Sequence, residues 1–341
     1  MLDGAERMVV LEVKDLGVEV SIGGKWVEAL RDVSLTIHRG ETLGLVGESG
    51  SGKSLTALSI VRLLPDNARV VRGSIRLMGK DVLGKSEHEL KRMRARSVAL
   101  VFQNPTTYLN PVLTVGEQIA ELFEQNPELL DSTARLSRSE RRRQAWRRSV
   151  EYLGFVRIPD PERIVGQYPF QLSGGMQQRV AIAIALVRRP DLVIADEITT
   201  ALDVTVQAQI LSLLAELRRT LGMTLLLITH DMGIVAQLAD RVAVMYSGSI
   251  AESADVSSLF KNPKHPYSEA LLEAVPTLAG GRTIFRPIPG AMPALTAAPT
   301  GCRFHPRCAY VLPACSRLVP DSICTAPGRT VACHRYGAPA E

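Results

Sequence analysis

Residues 47–54 read Gly-Glu-Ser-Gly-Ser-Gly-Lys-Ser, a G-x-x-x-x-G-K-[ST] pattern, and they lie between two segments of different character. Before them, Thr42-Leu43-Gly44-Leu45-Val46 is a short apolar run that reads as a buried strand. After them, Lys53 to Leu64 carries apolar residues at helical spacing, at Leu55, Leu58, Ile60, Val61 and Leu64. Strand, glycine loop and helix form the context that makes the pattern credible. Glycines let backbone N–H groups turn inward around anionic oxygens, and the helix N-terminus adds positive potential. Gly47, Glu48, Ser49, Gly50, Ser51 and Gly52 would then form a phosphate cradle, Lys53 would reach the β- and γ-phosphates, and the Ser54 hydroxyl would bind Mg²⁺. Alone, the motif implies nucleotide binding and no particular task.

The rest of the chain supports an α/β core. Buried strands are expected at Val98-Ala99-Leu100-Val101-Phe102, Leu192-Val193-Ile194-Ala195, Thr224-Leu225-Leu226-Leu227-Ile228 and Val242-Ala243-Val244-Met245, with helical stretches covering a largely parallel sheet. Met8 to Val13 and Val33 to Ile37 predict a β-rich opening. With 341 residues, 46% hydrophobic and 22% charged, the composition excludes disordered and collagen-like chains. No apolar run approaches the roughly 18 to 20 residues of a spanning helix. The start, Met1 to Arg7, shows no secretory signal, so the expected compartment is the cytoplasm.

Two further elements add chemistry. Leu192 to Glu197 delivers two carboxylates at a strand's C-terminal end, where open α/β sheets bind ligands. Asp196 suits Mg²⁺ held through water, and Glu197, pointing to the other side of the strand, would polarise an attacking water, which implies hydrolysis. Leu172-Ser173-Gly174-Gly175-Met176-Gln177-Gln178-Arg179 is a glycine turn opening a helix that is apolar nearly all round, a second anion site. Two such helix starts in one chain are explained if Ser173, Gly174 and Gly175 serve a nucleotide held mainly by a partner chain.

Together these residues resemble the ATP-binding subunit of ABC transporters, with Walker A at Gly47 to Ser54, the signature at Leu172 to Gln177 and Walker B at Leu192 to Glu197. The resemblance implies a Q-loop glutamine at Gln103, contacting Mg²⁺ and water. It also implies a D-loop at Ala201-Leu202-Asp203 and a switch histidine, His230, on the γ-phosphate. The implied fold is a P-loop ABC ATPase core, a mostly parallel sheet plus an antiparallel β subdomain, with a helical subdomain and a small irregular C-terminal extension. The expected division is 1–113 (β subdomain and Walker A), 114–180 (helical subdomain with the signature), 181–255 (Walker B, D-loop and switch histidine) and 256–341 (extension).

Leu109-Asn110-Pro111, Asp240 to Tyr246 and Asn262-Pro263-Lys264-His265-Pro266-Tyr267 narrow the resemblance to the dipeptide, oligopeptide and nickel importer branch. It implies ATP hydrolysis powering peptide import at the cytoplasmic face of the membrane, with nickel or glutathione as alternative cargo. The implied partners are two permease subunits, a second ABC ATPase and an extracytoplasmic binding protein. Two positions depart from the family. Ile198 replaces the usual proline after the catalytic glutamate, and Val20 stands where a ring that stacks on adenine is expected, with Trp26 as a substitute.

All five cysteines lie between Cys302 and Cys333, behind a Pro-rich connector at Pro287 to Pro299. In a reducing compartment such crowding favours a metal or cluster site over disulfides. Spacing alone names no metal. The resemblance implies a [4Fe-4S] cluster on Cys302, Cys308, Cys315 and Cys333, with zinc as the alternative and Cys324 left over. Its expected role is a structural staple.

A soluble ABC ATPase acting on nucleic acid or ribosomes finds support only in the net charge of +5 and the seven arginines of Arg135 to Arg148. Trp146 is the only aromatic among those arginines, so a solvated helix face is the better reading and no nucleic-acid partner is expected. A redox protein with incidental ATP binding leaves Ser173 and His230 without purpose.

Overall fold

Two long strands, β1 (Val9–Ile22) and β2 (Lys25–His38), are joined at Gly23 and Gly24, whose φ angles of 58° and 78° suit a tight hairpin turn. This computed structural model describes residues 8–130, 137–200, 202–275, 277–279, 282–284 and 287–337. The chain forms two units, one from residues 1–90 and 224–341 and the other from residues 91–223. In the first, β2 alternates as expected, burying Val33, Leu35 and Ile37 and leaving Ser34 exposed. Next come β3 (Thr42–Val46), α1 (Lys53–Ile60), β4 (Ala68–Leu77) and β5 (Lys80–Asp81), and β2-β1-β4-β5 make an antiparallel sheet.

The sequence predicts α1 through Leu64, but it ends at Ile60. Arg62 turns left-handed with φ 49°, its N–H bonds Ser59 O, and the Leu63 N–H bonds Leu58 O at 2.8 Å. This pair of bonds closes a helix C-terminus and satisfies carbonyls that would otherwise be orphaned. α2 (Glu87–Arg96) leads into the second unit.

There, β6 (Val98–Val101) is followed by α3 (Val115–Gln125), α4 (Arg138–Phe155), α5 (Pro161–Ile164), α6 (Gly174–Leu186), β7 (Leu192–Asp196) and α7 (Val204–Leu221). Capping boxes start α3 (Thr114 with Glu117) and α4 (Ser137 with Glu140). The arginine-rich stretch falls largely on α4, which buries only Ala145, Ser149 and Leu153. Spaced four apart, they form one narrow stripe, so Arg138, Arg142, Arg143 and Arg147 occupy a solvated face as expected, while Arg148 lies over the Phe123 and Tyr152 rings. Arg135 lies outside the described residues.

Back in the first unit are β8 (Leu225–Thr229), α8 (Met232–Leu238), β9 (Arg241–Tyr246), β10 (Ser249–Asp255), α9 (Val256–Lys261) and α10 (Pro266–Glu273). A short hairpin, β11 (Thr277–Ala279) and β12 (Arg282–Ile284), follows, then β13 (Ser322–Ala326) and β14 (Arg329–Ala332). β3 lies between β8 and β9, parallel to both, and β10, β14 and β13 continue antiparallel from β9. The tail, expected to be irregular, thus adds two strands to the sheet through Glu252↔Val331 and Ser253↔Thr330. Tyr267 and Phe304 share one core with Val46, Val244 and Tyr246, and Cys302 and Cys308 pack against it.

Candidate functional site

β3 is buried along its whole length, and the chain leaves it at Gly47. A side chain cannot stand there, because a Cβ on Gly47 would lie 2.1 Å from Met245 O. Gly50 and Gly52 adopt φ of 80° and 106°, a region that side chains disfavour. The loop therefore curls back over the start of α1. Lys53 Nζ donates to Gly47 O at 2.8 Å and Glu48 O at 3.0 Å. Ser51 is buried, while Ser49, Gly50 and Ser54 are exposed. An ammonium inside a ring of backbone turned by glycines suits an anionic phosphate, and an exposed hydroxyl at the helix start suits Mg²⁺.

His230 follows β8 directly. The parallel register Val46↔Thr229 brings Gly47 and His230 out at the same end of neighbouring strands, so the sheet itself pairs the cradle with the expected switch histidine. Asp231 caps α8, its Oδ1 accepting from the Gly233 N–H at 2.7 Å.

In the second unit, Val101↔Ala195 aligns β6 and β7, so Gln103 and the pair Asp196 and Glu197 also emerge together. Glu197 does not simply point to the opposite side of the strand. β7 ends at Asp196, and Glu197 is left-handed with φ 49°, so strand alternation stops before it. Its carboxylate is 3.4 Å from the Thr200 hydroxyl. Ile198 is buried. Ser173 caps α6, its Oγ accepting from the Met176 N–H at 3.4 Å, and Ser173 and Gly174 are exposed. Gly175 is required by packing, since a Cβ there would lie 2.5 Å from Val206. Asp203 caps α7 through the Val206 N–H at 2.9 Å. Ala201 lies outside the described residues.

Of the two candidates for adenine, Val20 pairs with Val27 and Ala68 inside the antiparallel sheet. Trp26 is half-exposed, and the Arg69 guanidinium lies 4.1 Å above its ring.

The cysteines differ in their hydrogen bonds. Backbone N–H groups of Phe304, Tyr310, Leu312 and Arg335 approach the sulfurs of Cys302, Cys308, Cys315 and Cys333 respectively. Cys324 is exposed, and its Sγ donates to Ala326 O. Burial pushes the Cys302 thiol up to about 11, and neighbouring Cys315, Cys333 and Cys308 add to the rise. Donors aimed at sulfur suit thiolates, and several thiolates close together call for a cation. Among the described residues, however, no three His, Cys, Asp or Glu side chains stand in a metal-holding group.

The contacts that hold Glu48 have no sign in the sequence. Its N–H donates to the Tyr267 hydroxyl at 2.9 Å, and Arg307 donates to both carboxylate oxygens, at 2.6 and 3.0 Å. Partners more than 200 residues apart leave no local pattern to read.

Residues 30–200 match the ABC transporter family, and residues 251–315 match the oligopeptide/dipeptide transporter C-terminal region. A Brucella abortus (strain 2308) protein named for peptide import and ATP binding is 45% identical over 311 residues, 91% of this chain and 90% of that one. The chain belongs to the ABC transporter family. Within it, this ABC ATPase is of the oligopeptide/dipeptide type. It is 45% identical to the oligopeptide transport ATP-binding protein OppD of Mycobacterium tuberculosis (strain ATCC 25618 / H37Rv), matching 96% of this chain and 52% of that longer one. Among solved structures, the ATP-binding cassette MJ0796, a dimer bound to ADP and Pi, superposes with a TM-score of 0.60 at 29% identity. That match covers 72% of this chain and 98% of that one. The ABC ATPase therefore has the P-loop fold that the resemblance implied. No helix among its described residues is long and apolar enough to cross a membrane.

Proposed function

We propose that this chain is the ATP-hydrolysing subunit of a peptide importer, bound at the cytoplasmic face of the membrane. The observation that carries the reading is the match of residues 251–315 to the oligopeptide/dipeptide C-terminal region, beside an intact phosphate loop. Lys53 and the loop N–H groups hold the β- and γ-phosphates, while Ser54, Asp196 and Gln103 would hold Mg²⁺, directly or through water. Bound there, Mg²⁺ would supply positive charge to the phosphate oxygens. Glu197 takes a proton from the attacking water, and His230 orients the γ-phosphate. Ser173, Gly174 and Gly175, exposed or at a helix start, reach across to ATP on a second ABC ATPase, with Asp203 at that junction. Opening after hydrolysis passes motion to two permease subunits fed by an extracytoplasmic binding protein. Val112 and Phe170, on the unit that holds residues 114–180, are strongly exposed apolar side chains suited to docking on permeases.

Cys302, Cys308, Cys315 and Cys333 are the proposed ligands of an iron–sulfur cluster or zinc, supported by their N–H···S bonds and soft donor chemistry. Such a group would staple the tail. The assembled complex in proteoliposomes tests the cargo. ATP-dependent uptake of labelled di- or oligopeptides supports the reading, whereas uptake of nickel or glutathione alone rejects peptide import.

A further inference from the structure

The Glu48 side chain is an oddity in a loop built to hold phosphate. Other features of residues 47–54 favour negative charge: a backbone turned by glycines, a helix start and the Lys53 ammonium. A carboxylate in the same loop opposes it. Lys53 Nζ lies 3.0 Å from Glu48 O, so this residue is part of the wall around the ammonium.

The charge is answered from the far end of the chain. Arg307, between Cys302 and Cys308, grips both carboxylate oxygens of Glu48, and its side chain is only 6% exposed. Its own position is fixed by further bonds, from Nε to Pro289 O at 2.7 Å and from a terminal nitrogen to Ile288 O at 3.4 Å, with the Tyr246 hydroxyl also 3.4 Å away. Tyr267, buried at the start of α10, holds the Glu48 N–H. Two residues of the C-terminal segment therefore fix both the main chain and the side chain of one phosphate-loop residue. A bidentate guanidinium–carboxylate pair whose guanidinium is buried and whose carboxylate is part-buried is strong and directional.

We propose that Arg307 is a positioning residue of the ATP site: it neutralises and orients Glu48, and through it the cysteine-bearing segment sets ATP affinity. The inference rests on the reading that the Gly47–Ser54 loop holds the triphosphate. Without Arg307, an uncompensated carboxylate faces an anionic ligand and the loop loses a tether. Without Glu48, the guanidinium remains as an extra cation near the phosphates.

The two partners therefore predict opposite signs, which a merely structural pair does not. ATP binding is measured on the full chain, with Lys53→Ala as the control for the loop reading. Arg307→Gln is expected to weaken ATP binding about tenfold, within the range typical of coupled sites, and to raise KM with kcat little changed. Glu48→Gln is expected to bind ATP more tightly than the parent. The Glu48→Gln/Arg307→Gln double variant is expected to recover most of the loss, a non-additivity that marks direct coupling. The Arg307→Gln defect should shrink at high salt. If Arg307→Gln fails to fold, the double variant carries the test, with parental affinity supporting the proposal and tenfold weakening overturning it. Equal weakening by both single changes with an additive double, or parental affinity in Arg307→Gln, also overturns it. ATP binding by the parent that survives Lys53→Ala rejects the loop reading instead.

Discussion

Gly47 meets Met245 so closely that a Cβ would stand 2.1 Å from the methionine's carbonyl oxygen. The residue that follows β3 and the end of β9 thus fix where the phosphate loop begins. Neither backbone segment can yield, since Val46 and Val244 are paired in the parallel ladder. Gly47→Ala is expected to lower stability by about 1 to 3 kcal/mol through overpacking and to abolish ATP binding. Thermal melts with and without Mg·ATP check this, and a ligand-induced rise in Tm equal to the parent's would contradict it.

His265 carries a pH dependence. It is buried beside Phe304, its Nδ1 accepts the Tyr267 N–H at 3.0 Å, and burial lowers its pKa from 6.5 to about 4, with a backbone bond at Ala332 opposing the shift. Because the folded pKa lies below the unfolded value, the unfolded chain binds the extra proton between pH 6.5 and about 4. Stability is therefore full above pH 6.5 and falls as the pH drops through that window, by on the order of 3 kcal/mol. Denaturant unfolding at pH 7.5 and 4.5 should show the loss, and His265→Asn, which keeps an acceptor cap for α10, should show a smaller one. Equal pH slopes in the two chains would reject the assignment.

Glu252 is fully buried on β10 and collects the Arg329 guanidinium at 2.5 Å and the N–H groups of Lys264 and His265. Removing only the cation leaves a buried charge uncompensated, so Arg329→Met is expected to cost about 3 to 5 kcal/mol. Hydrogen exchange should show β14 opening from β10 first. Unchanged protection at Val331 would contradict it.

Much of this was legible because it is local. The bounds of β3 were read directly, as were the positions of β6, β7, β8 and β9, since short apolar runs between turn residues declare buried strands. The sequence-remote neighbour of the cradle, His230, follows once the strands are placed. What escaped has no local signature. The left-handed turn at Glu197 is set by how β7 hands over to α7. The tail hairpin depends on β14 finding β10, and Arg307 and Arg329 look in the sequence like two more of many surface cations.

The cysteines divide sharply. If Cys302, Cys308, Cys315 and Cys333 hold a metal group, Cys302→Ser is expected to remove bound metal and destabilise the tail, while Cys324→Ser leaves both unchanged. Metal content by elemental analysis and visible absorption of protein purified without oxygen check this. Equal metal in the parent and Cys302→Ser would reject the ligand, and zinc without visible absorption would replace iron.

The central claim is that Glu197 activates the water that cleaves ATP in a transport ATPase. Steady-state ATP turnover by the assembled complex carrying Glu197→Gln tests it most directly. The expected result is ATP binding at parental affinity with turnover reduced by about 10² to 10⁴, the contribution of a positioned base. Turnover at the parental rate would contradict the account.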